Sequence, residues 1–228
     1  MARREYSEST DKIVATEPVE IRRYATHTRI NHWFTAILII LLILSGFALF
    51  HPSLFFLTAL FGGGQAARYI HPIFGVVACI SFLLLFIQLW RLNLMRREDL
   101  TWAKNINELL AGNEEKLPEL GKYNFGQKVV FWGMFWLLLA MVVSGVMIWQ
   151  QFFPNLVSIE TRRWAVVVHS VSAVLSVLII IVHIYAAFWT RGTLRAMTSG
   201  RVTGGWAWKH HRKWLREVAR RQDTPPAE

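Results

Sequence analysis

Residues 163–189 read RWAVVVHSVSAVLSVLIIIVHIYAAFW, an almost uninterrupted apolar run that carries two histidines, His169 and His183, fourteen positions apart. An α-helix rises about 1.5 Å per residue and turns once in about 3.6, so this spacing puts both imidazoles within about 40° of one face and about 21 Å apart along the axis. No Asp, Glu, Lys or Arg occurs between Trp164 and Thr190, a length sufficient to cross about 30 Å of hydrocarbon. Ionisable side chains inside such a segment are functional candidates, because an unpaired polar group in hydrocarbon is costly. A single helix therefore presents two ligand-type nitrogens at two depths.

Three further stretches lack charged side chains: Trp33 to Phe50, Tyr69 to Trp90, and Val129 to Ile159. With 54% hydrophobic residues, 11 Trp, 15 Phe and a mean hydropathy of +0.32, they exclude an ordinary soluble globule. The expected fold is all-α, an integral membrane four-helix transmembrane bundle with spans at about 33–50, 69–90, 129–150 and 164–190. The membrane domain then covers 23–190, between a polar tail at 1–22 and a basic tail at 191–228.

A net charge of +10 invites a nucleic-acid reading, but the distribution of the charge argues against it. Of the 25 Lys and Arg residues, 22 lie in the N-terminal segment, the second loop and the C-terminal tail, and only Arg68, Arg162 and Arg163 lie in the first and third loops. That asymmetry follows the positive-inside rule and predicts that both termini are cytoplasmic. The first thirty residues lack the apolar core and small-residue cleavage site of a signal peptide, so the first span is expected to act as the targeting signal. Cys79, the single cysteine, lies inside the second span and reads as a small packing residue.

Residues 1–22 show no apolar period and read as a mobile tail or an interaction arm. In the second loop, Trp102, Ile106, Leu109 and Leu110 follow helical spacing, which predicts a surface-lying amphipathic helix over 100–110, ended by Gly112-Asn113. The tail from Trp206 to Trp214 alternates basic and aromatic residues and suits an anionic leaflet, with His210 and His211 solvated or in contact with lipid.

The remaining histidines complete a pattern. His32 opens the first span from the basic side, and His71 opens the second after Arg68. Gly46 lies fourteen residues after His32, where a glycine lets a flat ring approach the backbone, although close helix packing also uses small residues. Gly75 follows His71 by one turn, and Ser144-Gly145 forms a second small patch, read as helix packing. His51, beside Pro52, reads as a boundary residue. Alternating topology puts His71 and His169 near the outer face and His32 and His183 near the inner face. Two bis-histidine haem sites are therefore expected, with no open coordination position, which suits electron transfer. Arg68 is a candidate contact for a haem propionate or else a solvated loop charge, and Arg163, at the start of the last span, is a candidate propionate contact as well. The turn from Gly121 to Lys128 can place Asn and Gln donors where a quinone carbonyl needs them, although pattern alone favours helix capping.

Four motifs, Arg29-Ile-Asn-His-Trp33, Arg68-Tyr-Ile-His-Pro72, Gly121-Lys-Tyr-Asn-Phe-Gly-Gln127 and His183-Ile-Tyr-Ala-Ala-Phe-Trp189, closely resemble the gamma subunits of membrane-bound respiratory formate dehydrogenases, a cytochrome b family. The resemblance runs from about Ile21 to Glu217, with departures in the longer polar N-terminus and at Gly204-Gly205. It implies His32, His71, His169 and His183 as axial ligands of two haem b groups, and a quinone site at Asn124, Gly126 and Gln127. It further implies a multi-pass protein of the bacterial inner membrane. Its partners would be an iron–sulfur beta subunit and a molybdenum- or tungsten-pterin alpha subunit that oxidises formate, a reaction this chain would not itself perform. Electrons would cross inward to quinone, which takes protons from the cytoplasm, at about 2.3 kcal/mol per electron per 100 mV. Two rival readings are a cytochrome b partner of another quinone-linked complex such as a hydrogenase, and a haem-free anchor or transporter.

Overall fold

The computed structural model describes residues 6–111, 113 and 116–223, with the backbone alone at 109 and 110. The chain runs β1 (Lys12–Thr16), β2 (Val19–Arg22), α1 (Thr26–Phe50), a 3-10 helix (Pro52–Phe61), α2 (Gly64–Leu89), α3 (Arg97–Lys104), α4 (Ile106–Leu110), α5 (Phe125–Ile148), α6 (Ile159–Trp189), α7 (Thr193–Thr198), β3 (Arg201–Thr203), α8 (Gly204–His210) and α9 (Arg212–Asp223). Four helices, α1, α2, α5 and α6, are long and apolar enough to cross a membrane. At 24 to 31 residues each they measure about 36 to 46 Å, more than the hydrocarbon core requires. Each starts several residues before its uncharged stretch, because a basic or polar first turn remains compatible with helix at the membrane boundary. Large apolar side chains such as Ile37, Leu84, Val171 and Ile181 are more than half exposed, as a lipid-facing surface requires.

Contacts within the chain divide it into two compact units. One comprises residues 30–88 and 133–182, the other 1–29, 89–132 and 183–228.

In the first unit the helices meet through small and polar residues. Thr35 Oγ1 and Ser81 Oγ are 2.6 Å apart, Ser81 Oγ donates to Asn31 Oδ1 at 2.7 Å, and Asn31 Nδ2 donates to the Ser81 carbonyl at 2.9 Å. Polar groups buried between apolar helices must satisfy one another, so this network pins α1 to α2. Phe86 and Phe135 stack at 4.2 Å.

The second unit changes the reading of both chain ends. The described part of the 1–22 segment is not a tail: β1 and β2 pair antiparallel, with Ile13 opposite Ile21, and β2 pairs with β3, with Ile21 opposite Val202. Ile21, Val202, Trp206, Trp214 and Val218 form one core with Tyr24 and Tyr123. The strands have 5, 4 and 3 residues, and β3, the second partner of β2, lies about 180 positions away, so no local period announces them. The C-terminal segment is likewise a packed structure, and His211 is 2% exposed instead of solvated. Residues 1–5 and 224–228 of the two expected tails lie outside the described residues.

The helix expected over 100–110 is two pieces, broken at Asn105. Asn105 Nδ2 bonds back to the Thr101 carbonyl at 2.9 Å, a side-chain contact that competes with helix continuation. Trp102 is buried and packs on Phe125 with ring centres 6.1 Å apart, while Ile106 stays exposed. The expected stop at Gly112 lies outside the described residues.

Candidate haem and quinone sites

His71 on α2 and His169 on α6 lie in the same unit, with ring centres 6.3 Å apart and planes inclined at 68°. Their surroundings repeat. Ser45 Oγ lies 2.8 Å from His71 Nδ1, and Ser144 Oγ lies 3.1 Å from His169 Nδ1. A Cβ added to Gly46 would stand 3.4 Å from His71 Cε1, and one added to Gly145 would stand 3.4 Å from His169 Cε1. A Ser-Gly pair on α1 thus cradles one imidazole, and a Ser-Gly pair on α5 cradles the other. The small patch at Ser144-Gly145, expected to serve helix packing, is one of these cradles. The serines sit 26 and 25 residues before their histidines. That repeated dipeptide is the sequence signal that could have identified Ser45 and Ser144.

The hydrogen bonds decide which ring nitrogen is available. Ser45 Oγ donates its single proton to the Leu41 carbonyl at 2.8 Å, and Ser144 Oγ donates to the Ala140 carbonyl at 2.6 Å. With its single proton assigned to the helix carbonyl, each hydroxyl faces the imidazole as an acceptor, which puts the ring proton on Nδ1. The Met141 carbonyl, 3.0 Å from His169 Nδ1 and an acceptor only, requires the same tautomer. Nε2 of each ring is left with its lone pair, as an axial ligand must be. The spacing also fits a metal between two imidazoles. Metal–nitrogen bonds of about 2 Å on each side, plus about 1 Å from nitrogen to ring centre, give about 6 Å between centres. The observed 6.3 Å agrees, and the donor set matches a six-coordinate haem iron.

His32 and His183 fall in different compact units. His32, on α1, is half-buried and meets Trp33 edge to face at 5.6 Å, and His183, on α6, is exposed. Arg68 lies on α2 three residues before His71, and Arg163 lies in the first turns of α6; both are exposed. His51 accepts from the Ser53 N–H at 3.2 Å and caps the 3-10 helix, in keeping with a boundary role.

The turn before α5 forms a reciprocal cap. Asn124 N–H donates to Gln127 Oε1 at 3.0 Å, and Gln127 N–H donates to Asn124 Oδ1 at 2.9 Å. The box occupies both side-chain oxygens and leaves both NH2 groups outside it, the donor type a quinone carbonyl accepts from. A Cβ on Gly126 would make only ordinary contacts, with Asn124 Oδ1 at 3.5 Å and the Trp102 ring at 4.0 Å.

A buried polar cluster holds this turn in place. Lys122 Nζ contacts Glu8 at 2.5 Å and Asp11 at 2.7 Å, and Trp214 Nε1 donates to Asp11 at 2.8 Å. Arg23 is 1% exposed, donates to the Lys122 carbonyl, and sits 4.9 Å from the centre of the Trp214 ring. His211 donates through Nδ1 to the Gly121 carbonyl at 2.7 Å. Burial, reinforced by the adjacent Arg23 guanidinium, holds the His211 pKa well below 6.5, so the ring is neutral at pH 7.

The chain matches the family model of prokaryotic cytochrome b561 over residues 23–200. It is 46% identical over 198 residues to the cytochrome b556(fdo) subunit of formate dehydrogenase from Escherichia coli strain K12, covering 87% of this chain and 93% of that protein. A formate dehydrogenase cytochrome b556 subunit from Haemophilus influenzae is 39% identical over 206 residues, 90% of this chain and 87% of its own length. The nitrate-inducible cytochrome b556(Fdn) subunit of Escherichia coli strain K12 is 34% identical over 200 residues, 88% and 92% of the two chains.

Proposed function

Because this chain belongs to the prokaryotic cytochrome b561 family, together with the cytochrome b subunits of formate dehydrogenase, we propose that it is the two-haem, quinone-reducing membrane subunit of such a complex. The observation that carries the proposal is the facing pair His71 and His169, 6.3 Å apart, each with Nδ1 engaged and Nε2 left to bind iron. The second site is assigned to His32 and His183, on the spacing of the last span and the depth of the first. Haem b bound at these sites supplies one-electron carriers with no open position for another ligand. Arg68 and Arg163 are assigned to propionates at the outer site, since a guanidinium suits a carboxylate. Asn124 and Gln127 donate from their NH2 groups to the quinone carbonyls, and Gly126 lets the ring approach the turn.

The partners are an iron–sulfur subunit, which delivers electrons at the outer face, and a molybdenum- or tungsten-pterin subunit that oxidises formate. The distribution of Lys and Arg supports cytoplasmic termini in a bacterial inner membrane, with quinone taking its protons from the cytoplasm. Formate dehydrogenase is favoured over a hydrogenase because all three relatives described above carry that name. A pyridine haemochrome assay on the purified chain tests the proposal. Two b haems per polypeptide are expected, falling to one in His71→Ala with the inner site retained; a value near zero under adequate haem supply refutes it.

A further inference from the structure

The turn that carries Asn124, Gly126 and Gln127 borders a narrow cleft whose lining comes from α3 and from both ends of the turn, including Glu98, Asp99, Lys122, Tyr123 and Lys128. Lys128 follows Gln127 directly and donates its backbone N–H to the Asn124 carbonyl at 3.1 Å. Its ammonium, with the residue 3% exposed, donates to Asp99 Oδ2 at 2.6 Å and to the Leu94 carbonyl at 3.1 Å, which leaves one of its three N–H bonds. Asp99 is 1% exposed, and its Oδ2 also accepts from the Arg96 N–H at 2.7 Å. Its Oδ1 is buried with no hydrogen bond among the described residues. A buried carboxylate oxygen without a partner, in a polar cleft, is a docking point for water.

We propose that Asp99 and Lys128 are the proton-uptake pair for quinone reduction, an inference that rests on the quinone assignment above. Quinone becomes quinol by taking two electrons, which the cytochrome supplies, and two protons, one on each oxygen. For each proton, an O–H bond forms on the quinone as an N–H bond of the Lys128 ammonium breaks, directly or through a cleft water. A hydronium ion from the aqueous side protonates Asp99 Oδ1 and leaves water, and the proton moves on to the Lys128 amine, which restores the ion pair. The transfer to quinone leaves the Asp99 carboxylate beside a neutral amine, the proton from hydronium on Oδ1 cancels that buried charge, and the final transfer from Asp99 to Lys128 exchanges the neutral pair for the ionic one with no change in net charge. The other groups around the pair are committed elsewhere: Lys122 to Glu8 and Asp11, and Glu98 to Lys213 at 3.3 Å. Arg96 and Tyr6 stack at 4.1 Å on one side, and Tyr123 lines the other.

The test uses the whole complex with its haems reduced beforehand, mixed rapidly with a short-chain quinone while haem reoxidation is followed. A positioned proton donor contributes about 10²- to 10⁴-fold, so Asp99→Asn is expected to slow reoxidation at least tenfold, and more as pH rises. Haem content and the half-saturating quinone concentration are expected to stay within twofold of wild type. Added acetic acid should restore part of the rate, and Asp99→Glu most of it. Wild-type reoxidation in Asp99→Asn across the pH range overturns the proposal, as does a slow rate that neither acetic acid nor Asp99→Glu relieves. Failure of the quinone assignment has a different signature: Asn124→Ala and Gln127→Ala would leave the half-saturating concentration of quinone unchanged.

Discussion

His71 and His169 are held asymmetrically, and the asymmetry yields a quantitative expectation. His71 Nδ1 has Ser45 Oγ as its hydrogen-bond partner, whereas His169 Nδ1 has both Ser144 Oγ and the Met141 carbonyl. In Ser45→Ala the imidazole loses its acceptor and leaves a buried donor unpaired, at about 1–3 kcal/mol. Losses of this kind behind a metal ligand weaken metal binding about 10- to 100-fold. The hydrogen bond raises the basicity of Nε2, which ferric iron requires more than ferrous iron, so part of the loss falls on the oxidised state alone. A tenfold difference between the two states corresponds to about 59 mV for one electron. Ser45→Ala is therefore expected to raise the outer haem potential by about 30–60 mV, and Ser144→Ala by less than half as much. Optical redox titration of the complex measures the shift, with the second haem proposed above as internal control. Equal shifts in the two variants, or an unshifted Ser45→Ala that retains both haems, would refute the tautomer argument.

Two further expectations concern the polar cluster that holds the Asn124–Gln127 turn. Lys122→Met removes the ammonium paired with Asp11, whose side chain is fully buried, which costs about 3–5 kcal/mol and lowers the melting temperature by about 10 °C in a detergent thermal scan; a melting temperature at the wild-type value would show that the cluster contributes nothing. His211 is held neutral in the fold, so below pH 6.5 the unfolded chain binds a proton that the folded chain refuses, and stability falls with pH by up to about 1.4 kcal/mol per unit. His211→Gln keeps a donor for the Gly121 carbonyl without the titration, so its stability should decline less steeply than wild type below that pH, and parallel slopes would count against this role.

Much of the architecture was legible in the chain as written. The uncharged stretches around Leu41, Leu85, Leu138 and Leu178 determine four long helices, because length and the absence of charge are properties of consecutive residues that need no partner. The fourteen-residue interval between His169 and His183, and the Asn124 to Gln127 interval of the capping box, could be read in the same way, since helix geometry converts spacing directly into position. What tertiary structure alone decided are the relations between distant segments. Ser45 and Ser144 acquire their role only when α1 meets α2 and α5 meets α6, which fixes the proton on Nδ1 and frees Nε2. The supposed tails are a three-stranded sheet and a buried core, because Ile21 and Val202 are too few and too far apart in the chain to signal a strand until they pair. Local periodicity reports on bonds between near neighbours. A contact between segments far apart in the chain depends on the chain having folded, and in this protein the groups that orient His71 and His169, 26 and 25 residues away, and those that hold the Asn124–Gln127 turn, 90 and more residues away, are contacts between separate elements.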